Sequence, residues 1–364
     1  MWFALGLLAC AAYVAAEQNQ KYITDPVRLA YQLYRYAWKP LLFYPLAAML
    51  LRDREDFERI LVALVLGGVL CSAPAISQGY AGLRATGPLS YGPNGMGGVL
   101  LLPLMACSFW LVEPPSRRAR WLCGIATLVM LRALLFTGSR GAMAGLLAGG
   151  GAQVSGLRAT SRGRRRIRQL ASVALLILVG ITLVRGNPLE RPTVQRFVAG
   201  DAEEETDGST LQWRREQRWP HFLEQVRQHP FLGVGTDVDL SLGDDGNTPH
   251  NGYLSIAVTS GVPALVLFLL LVAAALREAW FASRHAREEW QRPMAVAVSA
   301  ALVGVLVHNL VDSTFMLPPV LQGFWMAAAI AVRLGQEARH SLEAADTAMA
   351  RPQKMIRLAE ARQG

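Results

Sequence analysis

Ten predominantly apolar runs divide the chain, at about 2–16, 34–51, 60–77, 95–112, 121–137, 141–156, 170–185, 251–276, 294–311 and 319–333. A helix of roughly 17–25 apolar residues matches the hydrocarbon thickness of a bilayer, and a backbone in lipid must satisfy its own hydrogen bonds. Several runs are at the short end of that range, so those helices must lean on neighbours. The pattern predicts an all-α fold, a polytopic membrane helical bundle of about ten transmembrane helices. Composition agrees: 52% of the 364 residues are hydrophobic and 17% are charged, against about a quarter charged in a soluble domain. The 33 glycines allow helices to approach closely in lipid. A soluble enzyme and a nucleic-acid-binding protein are both excluded. The cysteines (Cys10, Cys71, Cys107 and Cys123) lie within apolar runs, with no CxxC pair. That argues against a disulfide framework and a structural zinc site.

The net charge of +9 is read for sidedness. The first run ends near Ala15-Ala16 like a signal peptide, but no basic residue precedes it, which predicts a retained helix. Alternate connections carry Arg52, Arg54 and Arg59, then Arg117, Arg118 and Arg120, then a cluster from Arg162 to Arg168. Arg277, Arg284, Arg287 and Arg292 follow, and then the tail from Arg339 to Arg362. Positive-inside places these segments and both termini in the cytoplasm. The Arg162–Arg168 cluster reads as a topogenic or lipid-headgroup patch. Four parts result: an N-terminal transmembrane bundle of about seven spans over 1–185, a loop on the non-cytoplasmic side over 186–249, three spans over 250–333 and a cytoplasmic tail over 334–364.

Residues 186–249 are the long polar insert, and a loop of this length is usually functional or disordered. Its first half holds the acidic residues Asp201, Glu203, Glu204, Glu205 and Asp207, the composition of a solvated stretch. From Ser209 onward Leu211, Arg215, Trp219, Phe222 and Val226 recur at helical spacing. This predicts a short amphipathic helix lying on the membrane, kinked or restarted at Pro220. Arg215 would face the apolar side, with Arg214 and Arg218 pointing elsewhere. His229-Pro230 and Gly233-Val234-Gly235 end the helix.

Charged residues in or beside the spans need a reason to be there. Arg132 lies about 12 Å deeper than the turn at Arg140. Backbone carbonyls, Asp312 or a bound anionic ligand could compensate its charge, or the side chain could snorkel. Thr137-Gly138-Ser139-Arg140-Gly141-Ala142 breaks one helix and starts the next, placing free N–H groups beside a guanidinium whose planar fork suits phosphate oxygens. His250, in Pro249-His250-Asn251-Gly252, stands where the long loop meets the next span, and an imidazole there can act as a base or donate to a phosphate. His308-Asn309 and Asp312-Ser313 could orient a catalytic group or tie helices together, with the second reading slightly favoured. Arg84 and the rigid Gly92-Pro93-Asn94-Gly95 turn fall on the same side. Arg84, Arg140, Arg215 and His250 thus converge on one membrane face without an acidic metal cage, which suits a bilayer-anchored ligand carrying a pyrophosphate. Asp237-Val238-Asp239 and Gly233-Val234-Gly235 are too short to signal a metal or dinucleotide site.

Four of these motifs, in this order, resemble the O-antigen ligase and polymerase family of bacterial inner-membrane glycosyltransferases. They are Arg84-x-x-Gly with Pro93-Asn94, Thr-Gly-Ser-Arg140-Gly-Ala, Arg215-x-x-x-Trp219 before His-Pro-x-x-Gly-x-Gly, and His250-Asn251-x-x-Leu. The likeness runs from about residue 60 to 330 and departs at the N-terminus, where family members often carry further spans. It implies a donor glycan on undecaprenyl pyrophosphate, an acceptor such as the lipid A core, transfer at the periplasmic face, and no metal or other cofactor. It implies catalytic roles for His250, Arg140 and Arg215; Arg84, Asn94, Ser139, Asn251 and Arg132 stand beside them as substrate-binding candidates. Its partners would be those two glycolipids and membrane lipids, with no nucleic acid. The same chemistry fits an O-antigen polymerase or a protein O-oligosaccharyltransferase. A multi-span transporter is the reading from another class, and the clustering of informative residues at one external surface disfavours it.

Overall fold

The computed structural model describes residues 49, 51, 53–88, 92–158, 214–234 and 249–360. Among them every regular element is helical. Numbering the described α-helices in chain order, α1 is Arg54–Tyr80, α2 Gly92–Val112, α3 Arg117–Thr137 and α4 Arg140–Arg158. A π-helical turn, Arg214–Arg218, leads into α5, Trp219–Gln228. Three long helices follow: α6 Gly252–His285, α7 Gln291–His308 and α8 Pro318–Glu360. The spans expected at 2–16, 34–51 and 170–185 lie outside the described residues, as does the acidic run at 201–207.

Five of these helices, α1, α2, α3, α6 and α7, are long and apolar enough to cross a membrane. The chain is thus a membrane protein by these helices, while a ten-helix count goes beyond what is described. The run expected at 141–156 does form a helix, α4, but its glycines and polar residues leave it outside that set. The last helix runs on past the span expected at 319–333 to Glu360, with Gly335 and Pro352 inside it.

Local sequence explains the ends. The Asp53 side chain caps α1 by accepting from the Asp56 N–H at 3.0 Å, and Ser116 caps α3 by accepting from Ala119 N–H at 3.1 Å. Along α1, Phe57, Leu61, Val65, Gly68, Ser72 and Ala75 are buried at helical spacing, while Val62, Leu66 and Leu70 are exposed on the other face. On a chain of this composition that outer face suits lipid. Helix α2 is the most enclosed, packed by α1, α3, α4 and α7.

Helices α4 and α7 run antiparallel in backbone contact. A Cβ on Gly145 would lie 2.5 Å from the Gly304 carbonyl oxygen, and one on Gly149 would lie 2.6 Å from that of Ala300. Small residues four apart allow this approach, and dispersion between close backbones then stabilises the pair. Helix α6 is broken at Gly261, which has φ 83°, and Pro263 supplies no N–H to the helix. The break is filled from the loop side: Val234 N–H donates to the Val258 carbonyl, and Val262 N–H to that of Pro230, each at 2.8 Å. Phe222 of α5 packs with Val234 and Val258, which fixes the short amphipathic helix against α6.

Candidate active site

The turn between α7 and α8 is the frame of the site. Asn309 closes it: Nδ2 donates to the Val305 carbonyl and to Thr314 Oγ1, each at 2.9 Å, and Oδ1 accepts from Phe315 N–H at 2.9 Å. Phe315 is set among Phe268 and Phe324, with ring centroids 5.2 and 5.1 Å away, so α6 and α8 hold the turn. The Asn309 carbonyl accepts from Gly252 N–H at 2.8 Å, tying the start of α6 to the end of α7.

Asn251 caps α6, accepting at Oδ1 from the N–H groups of Tyr253 and Leu254, each at 3.0 Å. Its Nδ2 donates to the Leu310 carbonyl at 3.0 Å, and its N–H to Ser313 Oγ at 3.0 Å. Ser313 also shares a hydrogen bond with Ser255 at 2.9 Å. These bonds make Asn251 a strut of the site's frame. His250 precedes it with φ 47°, a left-handed conformation uncommon for a residue with a side chain. Such strain persists only where the surroundings enforce it, and it clusters at functional sites. Here those surroundings are the Asn251 cap on one side and Pro249 on the other, whose carbonyl accepts from Trp219 Nε1 at 3.0 Å.

His250 Nδ1 stands 3.7 Å from Asp312 Oδ1, beyond hydrogen-bond length but in ion-pair range once the imidazole is protonated. Burial alone would push the Asp312 carboxyl up. His250, His308 and the Ser313 N–H, which donates to Oδ1 at 2.7 Å, hold it below its ordinary value instead. Of the alternatives open for this segment, Asn309 and Ser313 tie helices, whereas Asp312 faces the imidazole.

The α3–α4 junction meets the same turn. Helix α3 ends at Gly138, φ 64°. Ser139 then caps α4: its Oγ accepts from Ala142 N–H at 3.3 Å and its carbonyl from Met143 N–H at 3.1 Å. Ser139 is buried in that role, whereas Arg140, the first residue of α4, is exposed. A Cβ on Gly141 would lie 2.6 Å from Val311 Cγ2 and 2.9 Å from His308 Cδ2, so the first turn of α4 rests directly on residues 308–311. Arg84 reaches the junction from the α1–α2 loop, with Nε donating to the Thr137 carbonyl at 3.4 Å, and Ala85 N–H donates to that of Phe136 at 3.0 Å. Asn94 is half-buried in the first turn of α2.

The arginines of the long loop are placed otherwise than expected. Arg214, not Arg215, turns to the bundle, and its Nη1 donates to the Val311 carbonyl at 2.8 Å. Arg215 is exposed beside it, and Arg218 is half-buried. The cause is the π turn at 214–218, whose wider repeat moves the face by one residue relative to α-helical counting back from Trp219. Arg132 is also resolved differently. Its guanidinium lies over the Phe136 ring, 4.0 Å from the centroid, and 5.4 Å from that of Tyr80. Aromatic faces thus lie against a charge for which snorkelling, backbone carbonyls, Asp312 or a bound anion were the alternatives.

Arg140, the Arg214-Arg215 pair and His250 with Asp312 therefore surround one turn, and Arg84 adjoins the Arg140 junction. The arrangement can bind an anionic group and move a proton beside it. Among the described residues no three His, Cys, Asp or Glu side chains gather as a metal cage. No curated protein matches the chain. Residues 125–269, which carry Arg140, Arg214, Arg215 and His250, match a family model described as O-antigen ligase, and this supports assigning the chain to the O-antigen ligase and polymerase family.

Proposed function

We propose that this protein is a glycosyltransferase that moves an O-antigen-type glycan from undecaprenyl pyrophosphate to the lipid A core, at the periplasmic face of the inner membrane and without a metal. The observation that carries the reading is the meeting of three elements around residues 308–313: the α4 N-terminus with Arg140, the π turn with Arg214 and Arg215, and the His250–Asp312 pair.

In this mechanism the acceptor hydroxyl oxygen attacks the anomeric carbon, and the bond from that carbon to the phosphate oxygen breaks. The electron pair leaves on the diphosphate. Arg140 and Arg215 stabilise that growing charge, with the first N–H groups of α4 beside them, an electrostatic effect worth several kcal/mol in a dry site. His250 takes the proton of the acceptor hydroxyl, and the imidazolium is then stabilised by the Asp312 carboxylate. Arg214 holds the π turn in place, and Arg84 adds positive charge at the Arg140 junction.

The test supplies purified protein in liposomes with undecaprenyl-pyrophosphate glycan and lipid A core, with chelator present. Glycan-bearing lipid A core and released undecaprenyl pyrophosphate are expected. Joining of two glycans in place of this product would identify a polymerase, and uptake of the lipid with no change in its glycan would reject transfer altogether.

A further inference from the structure

His308, the last residue of α7, is fully buried, and its Nδ1 and Nε2 both lack a hydrogen-bond partner among the described residues. Buried polar groups are normally paired, and replacing an unpaired one by an apolar group of similar shape is neutral or stabilising. Packing alone therefore does not account for an imidazole at this position. The ring is clamped between two glycines. A Cβ on Gly98 of α2 would lie 3.1 Å from Cε1 and 3.2 Å from Nδ1, and one on Gly141 of α4 would lie 2.9 Å from Cδ2 and 3.4 Å from Nε2. One edge thus faces α2, and the other faces the turn of α4 that begins with Arg140.

The titratable and charged groups around the ring come from three elements. Asp312 lies in the following turn, and its carboxylate has His250 Nδ1 at 3.7 Å. Arg140 neighbours Gly141 on α4, and Arg214 reaches the Val311 carbonyl next to Asp312. Helix α2 has no acidic, basic or histidine residue. His308 thus touches the helix that presents Arg140 and ends the helix whose following turn carries the carboxylate that faces His250.

We propose that His308 is a positioning residue for the transfer reaction, its ring seating the turn that carries Asp312, and through Asp312 the facing His250, on the first turn of α4. The inference rests on the glycosyltransferase reading above. It acts through Asp312 and α4, without contact to substrate.

The test compares the full-length parent with His308→Leu and His308→Gln in liposomes containing undecaprenyl-pyrophosphate glycan and lipid A core. Melting temperature, kcat, KM for the donor and the pH–rate profile are measured. The leucine variant is expected to melt at or above the parent temperature while kcat falls roughly tenfold to a hundredfold, the size of effect a misplaced catalytic group produces. Its pH–rate profile is expected to shift, and glutamine, which keeps a polar nitrogen, is expected to recover part of both. Parent-like kcat and pH profile in the leucine variant would overturn the role, as would a loss that follows the folded fraction with the profile unchanged. If the leucine variant does not insert, the glutamine variant decides by the same two readouts. An inactive parent rejects the glycosyltransferase reading itself, whereas an active parent with unaltered variants rejects only the part given to His308.

Discussion

Arg214 Nη1 donates to the Val311 carbonyl oxygen over 2.8 Å, and this bond joins the π turn of the long loop to the turn that also carries Asp312. It separates two neighbouring arginines into different tasks: Arg214 is an anchor, and Arg215 is exposed beside it.

The two are therefore distinguishable by mutation. Arg214→Ala is expected to lower stability by about 1.5–3 kcal/mol, the range for a hydrogen bond from a charged group. Arg215→Ala should leave the melting temperature within error and still abolish most transfer. Thermal unfolding in detergent beside a glycan-transfer assay reads both, and equal destabilisation by the two substitutions would contradict the division.

The Asp312 carboxyl is held below its ordinary value of 3.8 in the folded protein. A group depressed on folding contributes stability that is complete above the unfolded value and is lost as pH falls through the folded one. The melting temperature of the parent is thus expected to drop more steeply than that of Asp312→Asn as pH falls below that unfolded value. Parallel curves there would show that the carboxylate is not stabilised by its neighbours.

The α4–α7 contact gives a prediction with its own control. Gly145→Ala puts a methyl 2.5 Å from the Gly304 carbonyl oxygen, whereas Gly150, on the same helix, has nothing within 4 Å of its would-be Cβ. Overpacking at Gly145 is expected to cost about 1–3 kcal/mol. Gly150→Ala is expected to be neutral or to stabilise by up to about 1 kcal/mol through helix propensity. Urea or thermal unfolding that ranks the two the other way would contradict the backbone contact.

How legible the fold was depends on the element. Apolar runs at 60–77, 95–112, 121–137 and 251–276 each led to a helix, because an apolar segment of that length has few other ways to satisfy its backbone in lipid. The Thr137–Ala142 motif gave the α3–α4 junction directly, since Gly138 and Ser139 have the residue types of a helix stop and a helix cap. The face of the loop helix was misread, because α-helical periodicity counted back from Trp219 reaches Arg215, and nothing in the residues between signals a π turn. For Arg132 the nearer ring, Phe136, stands one turn on along the same helix, a spacing the sequence contains, whereas Tyr80 belongs to another helix, and the sequence does not say which helices pack together. His250 and Asp312 were both singled out from sequence, but their pairing depends on the α6–α7 contact through Gly252 and Asn309.

Binding and turnover of the lipid donor test the central claim most directly. Undecaprenyl-pyrophosphate glycan is titrated into liposomes carrying the parent, Arg140→Ala, Arg215→Ala or His250→Ala, and release of undecaprenyl pyrophosphate is followed after lipid A core is added. Both arginine variants are expected to bind the donor more weakly and release little product, while His250→Ala binds it like the parent and fails to turn it over. Donor affinity and product release equal to the parent in Arg140→Ala and Arg215→Ala would contradict the account.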